Sequence, residues 1–484
     1  MTSSMTRRVT WLVAAAAALA WTPFVAAPLS PDEGGFLLVA SQWRPGSSLY
    51  GHYWVDRPPL LISIFDLADH AGGAVGLRLI GIAAVVASVL LADRLARLAT
   101  GRWTVVPAIV AAAFLATPLF GTGMVNGELL AVPLVLAGIL ALVRAWTSTG
   151  RPSYVWAAVA GVAAAAAPLI KQNVVDVLVV AGVLVLQGLR SAERRRTLWL
   201  ALTVSAGAAL ATAACLLLAE TRGTEPTSLW NALVTFRGEA TAVIQSSSSS
   251  STSARFVELL AAAALSAAPL LLTVMLLRLR RKALTDRAPD LRYPALMLLL
   301  WEVVAVGAGG SYWLHYLIGL VPGLVLVSVA AAQRPPRLRR WTVAVVALTC
   351  LSAGIATVTA AFNVPPYSSD AAVAAYLRAH DTPRDTMVVG FGHPNIVWDS
   401  GMRSPYPLLW SLEVRVRDPQ LHQLTHVMSG PHAPTWIVVN GSSLATWGVD
   451  PTSAEAVLDQ RYRPATTIGD YVIWKLVDGA PGVR

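Results

Sequence analysis

Apolar segments of about 20 residues recur along most of the chain, separated by short polar connections. A helix of this length matches the hydrocarbon thickness of a bilayer. The chain is 55% hydrophobic and 13% charged, whereas soluble domains carry about 25% charged residues. The pattern predicts a mostly α-helical, polytopic membrane bundle of about 11 spans, at residues 9–27, 74–92, 103–120, 124–143, 154–170, 174–190, 197–219, 256–277, 293–310, 314–332 and 341–361.

Basic residues concentrate in alternate connections between these spans, which is the positive-inside pattern. The segments concerned are Arg7–Arg8, Arg94–Arg102, Arg144–Arg151, Arg190–Arg196, Arg278–Arg292 and Arg334–Arg340. We therefore expect a multi-pass plasma-membrane (inner-membrane) protein with a cytoplasmic N-terminus and an uncleaved first span. The net charge of +10 does not indicate nucleic-acid binding, because the basic residues are spread over short loops rather than one surface.

Two regions are predicted. Residues 1–361 form a transmembrane domain, which includes an outer loop at 28–73 with two short amphipathic helices. Residues 362–484 are more polar and alternate helical and strand patterns, so they are expected to form a small extracytoplasmic α/β domain. Its predicted strands are 386–390, 435–440 and 471–476, and its predicted helices are 370–380, capped by Asp370, and 453–461. The serine run Ser246–Ser251, in the outer loop 220–255, is expected to be mobile.

Two adjacent acids, Asp32 and Glu33, follow the first span directly. One of these carboxylates can act as a general base that deprotonates an acceptor hydroxyl. The alternative is structural, because an acid at this position can also cap the helix that follows or remain solvated surface. The following Gly34-Gly35 and the second polar cluster of the same loop favour a catalytic role.

That second cluster is Asp56-Arg57-Pro58-Pro59. Two prolines restrict the backbone here, so Arg57 is held as a donor at the level of the lipid headgroups. A guanidinium group can form a bidentate contact with phosphate, although Arg57 can equally contact lipid headgroups in general.

Further polar residues are expected on the outer face. Lys171 lies between two spans, where it can contact a phosphate or extend to the lipid surface. Glu128 can orient an acceptor or hold a divalent ion, and His315-Tyr316 can line a cavity or belong to an aromatic belt. Glu302, in the middle of a span, can serve a function or make a structural hydrogen bond.

Other chemistries find little support in the sequence. There is no P-loop, no zinc-type His/Cys spacing and no Gly-x-Ser-x-Gly motif. The only two cysteines, Cys215 and Cys350, both lie in apolar spans, which argues against a structural disulfide and a Cys-based metal site. The absence of an Asp-x-Asp motif in a cytoplasmic domain points to a lipid-borne rather than a nucleotide-borne sugar donor.

Several segments together resemble the GT-C membrane glycosyltransferases, in the branch related to protein O-mannosyltransferases and lipid A aminoarabinose transferases. Pro31-Asp32-Glu33 is similar to the acidic motif of the family's first loop, and Asp56-Arg57-Pro58-Pro59-Leu60 to its acid-Lys-Pro-Pro-Leu segment. The other similar segments are Arg78-Leu79-Ile80-Gly81, Lys171, and His315-Tyr316 through Pro322. Arg57 replaces the commoner Lys, and Ser311-Tyr312 stand where a basic residue is often found.

The resemblance implies a polyprenyl-phosphate sugar donor, an outward-facing active site and inversion at the sugar carbon. Asp32 would be the base and Glu33 its neighbour. The donor phosphate would be bound by Arg57, beside Asp56, and by Lys171, with His315 and Tyr316 nearby. The sugar would be of mannose or arabinose type, and the extracytoplasmic acceptor a protein, lipid or glycan.

Two other classes of function stay open at this stage. A transporter or lipid flippase would carry polar groups through the membrane midplane and often shows an internal repeat. The sequence has one mid-span acid, Glu302, and no obvious repeat. A non-catalytic partner subunit that presents the C-terminal domain is the third reading, which an intact acidic loop disfavours.

Overall fold

The structure, a computed structural model, describes residues 3–246, 250–284, 288–336, 338–446 and 448–477. It is mostly helical with a small C-terminal sheet, which confirms the predicted fold class. Among the described residues, six helices are long and apolar enough to cross a membrane: Ala74–Thr100, Gly127–Thr147, Arg151–Ile170, Arg194–Thr221, Leu314–Ala332 and Arg339–Phe362. A seventh span results if Ser251–Leu265 and Ala268–Leu279, which meet at a bend of 58°, count as one. The count of 11 spans stays a prediction.

The chain divides into two compact units. The first comprises Met1–Val25, Arg78–Leu217 and Ser250–Asn363, and the second comprises Ala26–Leu77, Leu218–Ser249 and Val364–Arg484. The outer loop 28–73, which the sequence assigned to the transmembrane domain, thus belongs to the same unit as the C-terminal residues. The side of the membrane on which that unit lies stays a prediction.

The first unit contains most of the apolar helices. Besides the long spans it includes the helices Ser3–Trp21, Val106–Ala116, Asp176–Leu189 and Arg292–Ala308, and the 3₁₀ turns Thr22–Phe24 and Pro118–Phe120. The span Leu314–Ala332 consists of a 3₁₀ segment, Leu314–Leu320, and the α-helix Val321–Ala332. The indole Nε1 of Trp21 donates to the carbonyl of Leu115 at 2.8 Å. This bond satisfies a polar group that would otherwise be buried among apolar side chains.

The second unit combines short helices with the sheet. Its helices are Pro31–Gln42, Pro59–His70, Pro226–Trp230, Phe236–Ser246, Ser368–His380, Pro394–Ser400, Ser411–Arg417, His422–Ser429 and Thr452–Arg461, with a π-helical turn at Asn231–Thr235. The two helices predicted in loop 28–73 are therefore present. The predicted mobile serine run includes residues 247–249, which lie outside the described residues.

Four strands form the sheet: β1 Met387–Val389, β2 Trp436–Asn440, β3 Tyr462–Ile468 and β4 Tyr471–Leu476, in the order β1-β2-β4-β3. β1 and β2 are parallel and the other pairs antiparallel. The sequence predicted β1, β2 and β4 but missed β3, because Pro464 interrupts it and most of its residues are exposed. Proline is tolerated here because β3 is an edge strand, and the register shifts between Pro464 and Thr466.

The predicted role of Asp370 as a helix cap is wrong. The helix begins at Ser368, and Tyr367 holds the N-cap position with φ of 61°. Asp370 lies in the first turn, where its buried carboxylate receives hydrogen bonds from side chains elsewhere in the unit. The sequence pattern located the helix correctly but gave no sign of these distant donors.

Candidate active site

The helix that carries Asp32 begins with a capping box. Ser30 is the N-cap, and its Oγ accepts from the backbone N–H of Glu33 at 3.3 Å. In return Glu33 Oε2 accepts from the backbone N–H of Ser30 at 3.0 Å and from its hydroxyl at 2.9 Å. Glu33 is fully buried, whereas Asp32 is partly exposed. Glu33 thus stabilises the start of the helix, and Asp32 is the acid that reaches solvent.

Asp32 is held by a tryptophan from the C-terminal part of the unit. The indole Nε1 of Trp410 donates to Asp32 Oδ1 at 3.1 Å. The same indole packs on Phe36, with 5.5 Å between ring centroids, and Phe36 lies one helical turn after Asp32. The guanidinium carbon of Arg57 lies 5.5 Å from the centroid of Phe36. Asp32 and Arg57, both predicted from sequence, therefore line the same helix face.

Gly34 and Gly35 allow this helix to approach its neighbours closely. A Cβ atom on Gly34 would lie 2.4 Å from Cα of Asn395, and one on Gly35 would lie 2.3 Å from the indole of Trp410. Real Cβ atoms do not make contacts this short. The two glycines after the acidic pair are thus required by packing, and the packing fixes where Asp32 points.

Asp56 holds two guanidinium groups at once. Its side chain is buried, Oδ1 pairs with Nη1 of Arg57, and Oδ2 pairs with Nη2 of Arg237. The sequence predicted Asp56 and Arg57 but missed Arg237, one of three arginines in the loop 220–255. Tyr50 also reaches this segment, since its hydroxyl donates to the carbonyl of Arg57 at 3.1 Å.

Glu413 is a further acid that the sequence did not indicate. Its side chain is 3% exposed. Burial and the negative charge of Asp56 raise the pKa of the Glu413 carboxyl well above its ordinary value, although Arg57 and Arg237 oppose the shift. It lies more than 350 positions along the chain from Asp56, so no local motif could have joined the two.

A hydrogen-bonded network centred on Asp370 contacts the residue just before the Asp32 helix. Asp370 accepts from His393 Nδ1 at 2.9 Å, from Asn395 Nδ2 at 2.9 Å and from the hydroxyl of Tyr471 at 2.8 Å. Asn395 also donates to the carbonyl of Leu29 at 3.0 Å, directly before the capping box. Burial alone would raise the pKa of Asp370, but the bonds from His393 and Asn395 outweigh it and hold that pKa below its usual range.

Tyr367 lies in the electric field of the same carboxylates. Burial, together with the negative charges of Asp32, Asp370 and Glu33, raises the pKa of the Tyr367 phenol to about 12. The phenol is therefore neutral at physiological pH. The sequence did not single out this tyrosine.

In the first unit, four predicted residues form one cluster. Lys171 Nζ pairs with Oε1 of Glu128 and lies 4.8 Å from the ring centroid of Tyr316. Nε2 of His315 lies 3.8 Å from the same Glu128 oxygen. The Glu128 side chain is 6% exposed and that of Lys171 is 25% exposed. The cation is thus stabilised by both a carboxylate and an aromatic face.

The alternative reading of Glu128 as a metal ligand gains no support from its surroundings. Across the part of the chain that the structure describes, no group of three or more His, Cys, Asp or Glu side chains is arranged to hold a metal ion. Glu128 instead pairs with Lys171.

Arg255 places a further cation beside the His315 segment. Nε of Arg255 donates to the carbonyl of Ser311 at 2.9 Å, and its guanidinium carbon lies 4.5 Å from the ring centroid of Trp313. A basic group therefore lies next to the segment in which the sequence has none. It comes from the helix Ser250–Leu265, and the sequence, which placed Arg255 at the end of the loop 220–255, did not connect it with the His315 segment.

Glu302 makes a structural hydrogen bond. The backbone N–H of Gly323 donates to both of its carboxyl oxygens, at 2.8 and 3.1 Å. A Cβ atom on Gly323 would lie 2.0 Å from Glu302 Oε2, so this contact requires glycine. The structural reading of Glu302 accounts for its burial.

The structure thus brings the predicted residues together in two groups, one in each unit. The Asp32 group contains Asp32, Glu33, Asp56 and Arg57, and the Lys171 group contains Glu128, Lys171, His315 and Tyr316. That Asp32 and Lys171 act on one substrate stays a prediction.

Comparison with known proteins identifies neither a matching family model nor a matching curated protein. Solved structures of ArnT are similar in fold. ArnT from Cupriavidus metallidurans bound to undecaprenyl phosphate has 16% sequence identity, a TM-score of 0.65, and coverage of 98% of this chain and 99% of that chain. The apo state of ArnT has 15% identity, a TM-score of 0.66 and coverage of 100% of both chains. The chain therefore has the fold of ArnT, in agreement with the GT-C resemblance of its sequence motifs.

Proposed function

We propose that this protein is a membrane glycosyltransferase that moves a sugar from a polyprenyl-phosphate donor to an extracytoplasmic acceptor. The observation that carries the proposal is the Asp32 group. The partly exposed carboxylate of Asp32 is hydrogen-bonded to Trp410, and the guanidinium of Arg57 lies over Phe36, the ring on which Trp410 packs. The fold adds support, because one of the ArnT structures contains undecaprenyl phosphate.

Asp32 acts as the general base in this proposal. Its carboxylate removes the proton from an acceptor hydroxyl as that oxygen attacks the anomeric carbon. The bond from this carbon to the phosphate oxygen breaks in the same displacement, so the configuration at the sugar carbon inverts. Trp410 contributes by fixing the orientation of the carboxylate, and Glu33 by capping the helix that carries it.

Arg57 and Lys171 bind the donor phosphate and stabilise the charge that develops as it leaves. Each is paired with a carboxylate in this structure, Arg57 with Asp56 and Lys171 with Glu128. A bound phosphate would therefore replace one anionic partner by another rather than meet an uncompensated cation. Tyr316, whose ring lies beside Lys171, and His315, which lies beside Glu128, complete the donor contacts in this proposal.

The transferred sugar in this proposal is of mannose or arabinose type. The reaction takes place on the outer side of the plasma membrane, where the acceptor is a protein, a lipid or a glycan. The N-terminus lies in the cytoplasm and the C-terminal residues 362–484 lie outside in this proposal, and these two locations follow from the charge bias of the connecting loops.

Purified protein in liposomes, supplied with a radiolabelled polyprenyl-phosphate mannose or arabinose and a cell-envelope extract as acceptor, tests the proposal. We expect release of free polyprenyl phosphate and incorporation of label into the acceptor. Movement of intact donor across the bilayer without cleavage would instead identify a flippase. Failure to consume either donor would contradict the proposal. Mass spectrometry of envelope glycans from cells with and without the protein would then name the sugar and acceptor.

A further inference from the structure

The side chain of Asn395 contacts the residue that precedes the capping box of the Asp32 helix. Its Nδ2 donates to the carbonyl of Leu29 at 3.0 Å and to Oδ2 of Asp370 at 2.9 Å. Both amide hydrogens are therefore used, and the reverse orientation of the amide would place its oxygen against two acceptors. Asn395 is 1% exposed, so both bonds are shielded from bulk water.

The peptide unit between Leu29 and Ser30 is held at both of its polar ends. Its carbonyl oxygen accepts from Asn395, and its N–H donates to Oε2 of Glu33 at 3.0 Å. A trans peptide unit is planar and its C=O and N–H point in opposite directions, so the two bonds together fix its orientation. Ser30 is the N-cap, and Asp32 follows it in the first helical turn. The orientation of this peptide unit therefore determines the direction in which the helix begins and, with it, the position of Asp32.

The amide of Asn395 is anchored by an acceptor that is itself fixed. The carboxylate of Asp370 also accepts from Nδ1 of His393 at 2.9 Å and from the hydroxyl of Tyr471 at 2.8 Å. The amide oxygen of Asn395 is buried and has no hydrogen-bond partner among the described residues, and an unpaired buried acceptor is costly. An apolar side chain of the same shape would avoid this cost, which limits what the amide can contribute to stability.

We propose that Asn395 is a positioning residue for sugar transfer, which acts through the carbonyl of Leu29 to fix the start of the helix that carries Asp32. This inference rests on the proposed function, because it takes Asp32 to be the general base. Trp410 holds the same base directly, by donating to Asp32 Oδ1. Asn395 thus positions the backbone of the base, and Trp410 orients its side chain.

Single-turnover sugar transfer at saturating donor, by four full-length proteins in liposomes, tests this inference. The four are wild type, Asn395→Leu, Asp32→Asn and the double variant, and leucine has nearly the shape of asparagine but no donor. We expect Asn395→Leu to lose about 10- to 100-fold in rate when Asp32 is present, because a displacement of about 1 Å in a reacting group has an effect of this size. In the Asp32→Asn background the same substitution should change the residual rate less than about twofold, because no base remains to be positioned. A merely structural role would lower the rate by the same factor in both backgrounds.

Ser400→Ala is the matched control. Ser400 lies at the other end of the helix Pro394–Ser400, where its buried hydroxyl oxygen accepts from the N–H of Met402 at 3.2 Å. This variant should lower the unfolding temperature but keep the transfer rate within about twofold of wild type. If Asn395→Leu does not fold, Asn395→Ala takes its place in both backgrounds, because alanine removes the amide without adding a methyl group.

Three outcomes would overturn the inference while leaving Asp32 as the base. They are a wild-type rate for Asn395→Leu, an equal loss in the two backgrounds, and a loss in Ser400→Ala as large as that in Asn395→Leu, which would assign the effect to the stability of the helix. Normal transfer by Asp32→Asn would instead contradict the proposed function, and Asn395 would then have no base to position.

Discussion

Replacement of Gly34 by alanine should loosen the helix that carries the candidate base. The new Cβ would lie 2.4 Å from Cα and 2.6 Å from Cβ of Asn395, both of which belong to a neighbouring helix. Ordinary contact begins at 3.4 Å, so the two helices must separate by about 1 Å. Asn395 cannot yield easily, because it is hydrogen-bonded to Leu29 and Asp370.

Two opposing effects determine how much Gly34→Ala changes the stability of the protein. Alanine favours a helix over glycine by about 0.5–1 kcal/mol, whereas overpacking of a tight contact costs about 1–3 kcal/mol. Because the clash here is with backbone, we expect Gly34→Ala to be destabilised by about 2 kcal/mol. A shift of about 1 Å in Asp32 would also lower sugar transfer by up to about 100-fold.

Thermal unfolding in detergent and the rate of sugar transfer are the two measurements. Gly238→Ala is the matched control, because Gly238 lies in a helix of the same unit with nothing within 4 Å of the position of a Cβ atom. The control should be as stable as wild type or slightly more stable. If Gly34→Ala matches the control in both stability and rate, the close helix contact does not exist as described.

Three further changes test other contacts. Trp410→Phe keeps an aromatic ring but removes the indole N–H that donates to Asp32. We expect kcat to fall about tenfold and stability to fall by about 1 kcal/mol. An unchanged kcat would contradict the positioning role of Trp410. Lys171→Met removes the ammonium partner of the buried Glu128 carboxylate, beside which only the more distant His315 is described at 3.8 Å, and should lower stability by about 3 kcal/mol; adding Glu128→Gln should restore the unfolding temperature but not donor binding. Burial raises the pKa of Asp399 from 3.8 to about 6, although the charge of Arg378 opposes the shift. Because the folded protein then holds this proton more tightly than the unfolded chain, the contribution of Asp399 to the free energy of unfolding should fall by up to about 3 kcal/mol as the pH rises from 4 to 6. Asp399→Asn should therefore be more stable than wild type at pH 8 and equal to it near pH 4, and a less stable variant at pH 8 would refute this.

Local patterns in the sequence predicted much of the fold. Apolar length indicated the helices, and alternation indicated β1, β2 and β4. The edge strand β3 was missed because its proline and exposed residues break that alternation, and its pairing with β4 overrides them. The helix at 368–380 was found, but the partners of Asp370 come from distant segments that no window includes.

The same limit applies to the candidate site. Asp32, Asp56 and Arg57 were predicted because they lie in the same outer loop, 28–73. Arg237 was missed because it reaches Asp56 only through tertiary packing, and Glu413 because it comes from a segment far along the chain. Glu33 was assigned to catalysis beside Asp32, whereas its side chain completes a capping box, an alternative that the sequence had left open.

The most direct test of the account is single-turnover sugar transfer by Asp32→Asn, with Glu33→Gln as a neighbouring comparison. A general base contributes about 10²–10⁴-fold, so Asp32→Asn should lose at least about 100-fold in rate while still inserting into the membrane and binding the donor. Glu33→Gln, which can still accept from Ser30, should retain most of the rate. Normal turnover by Asp32→Asn would contradict the assignment of the base, and normal turnover by the double variant would contradict the mechanism.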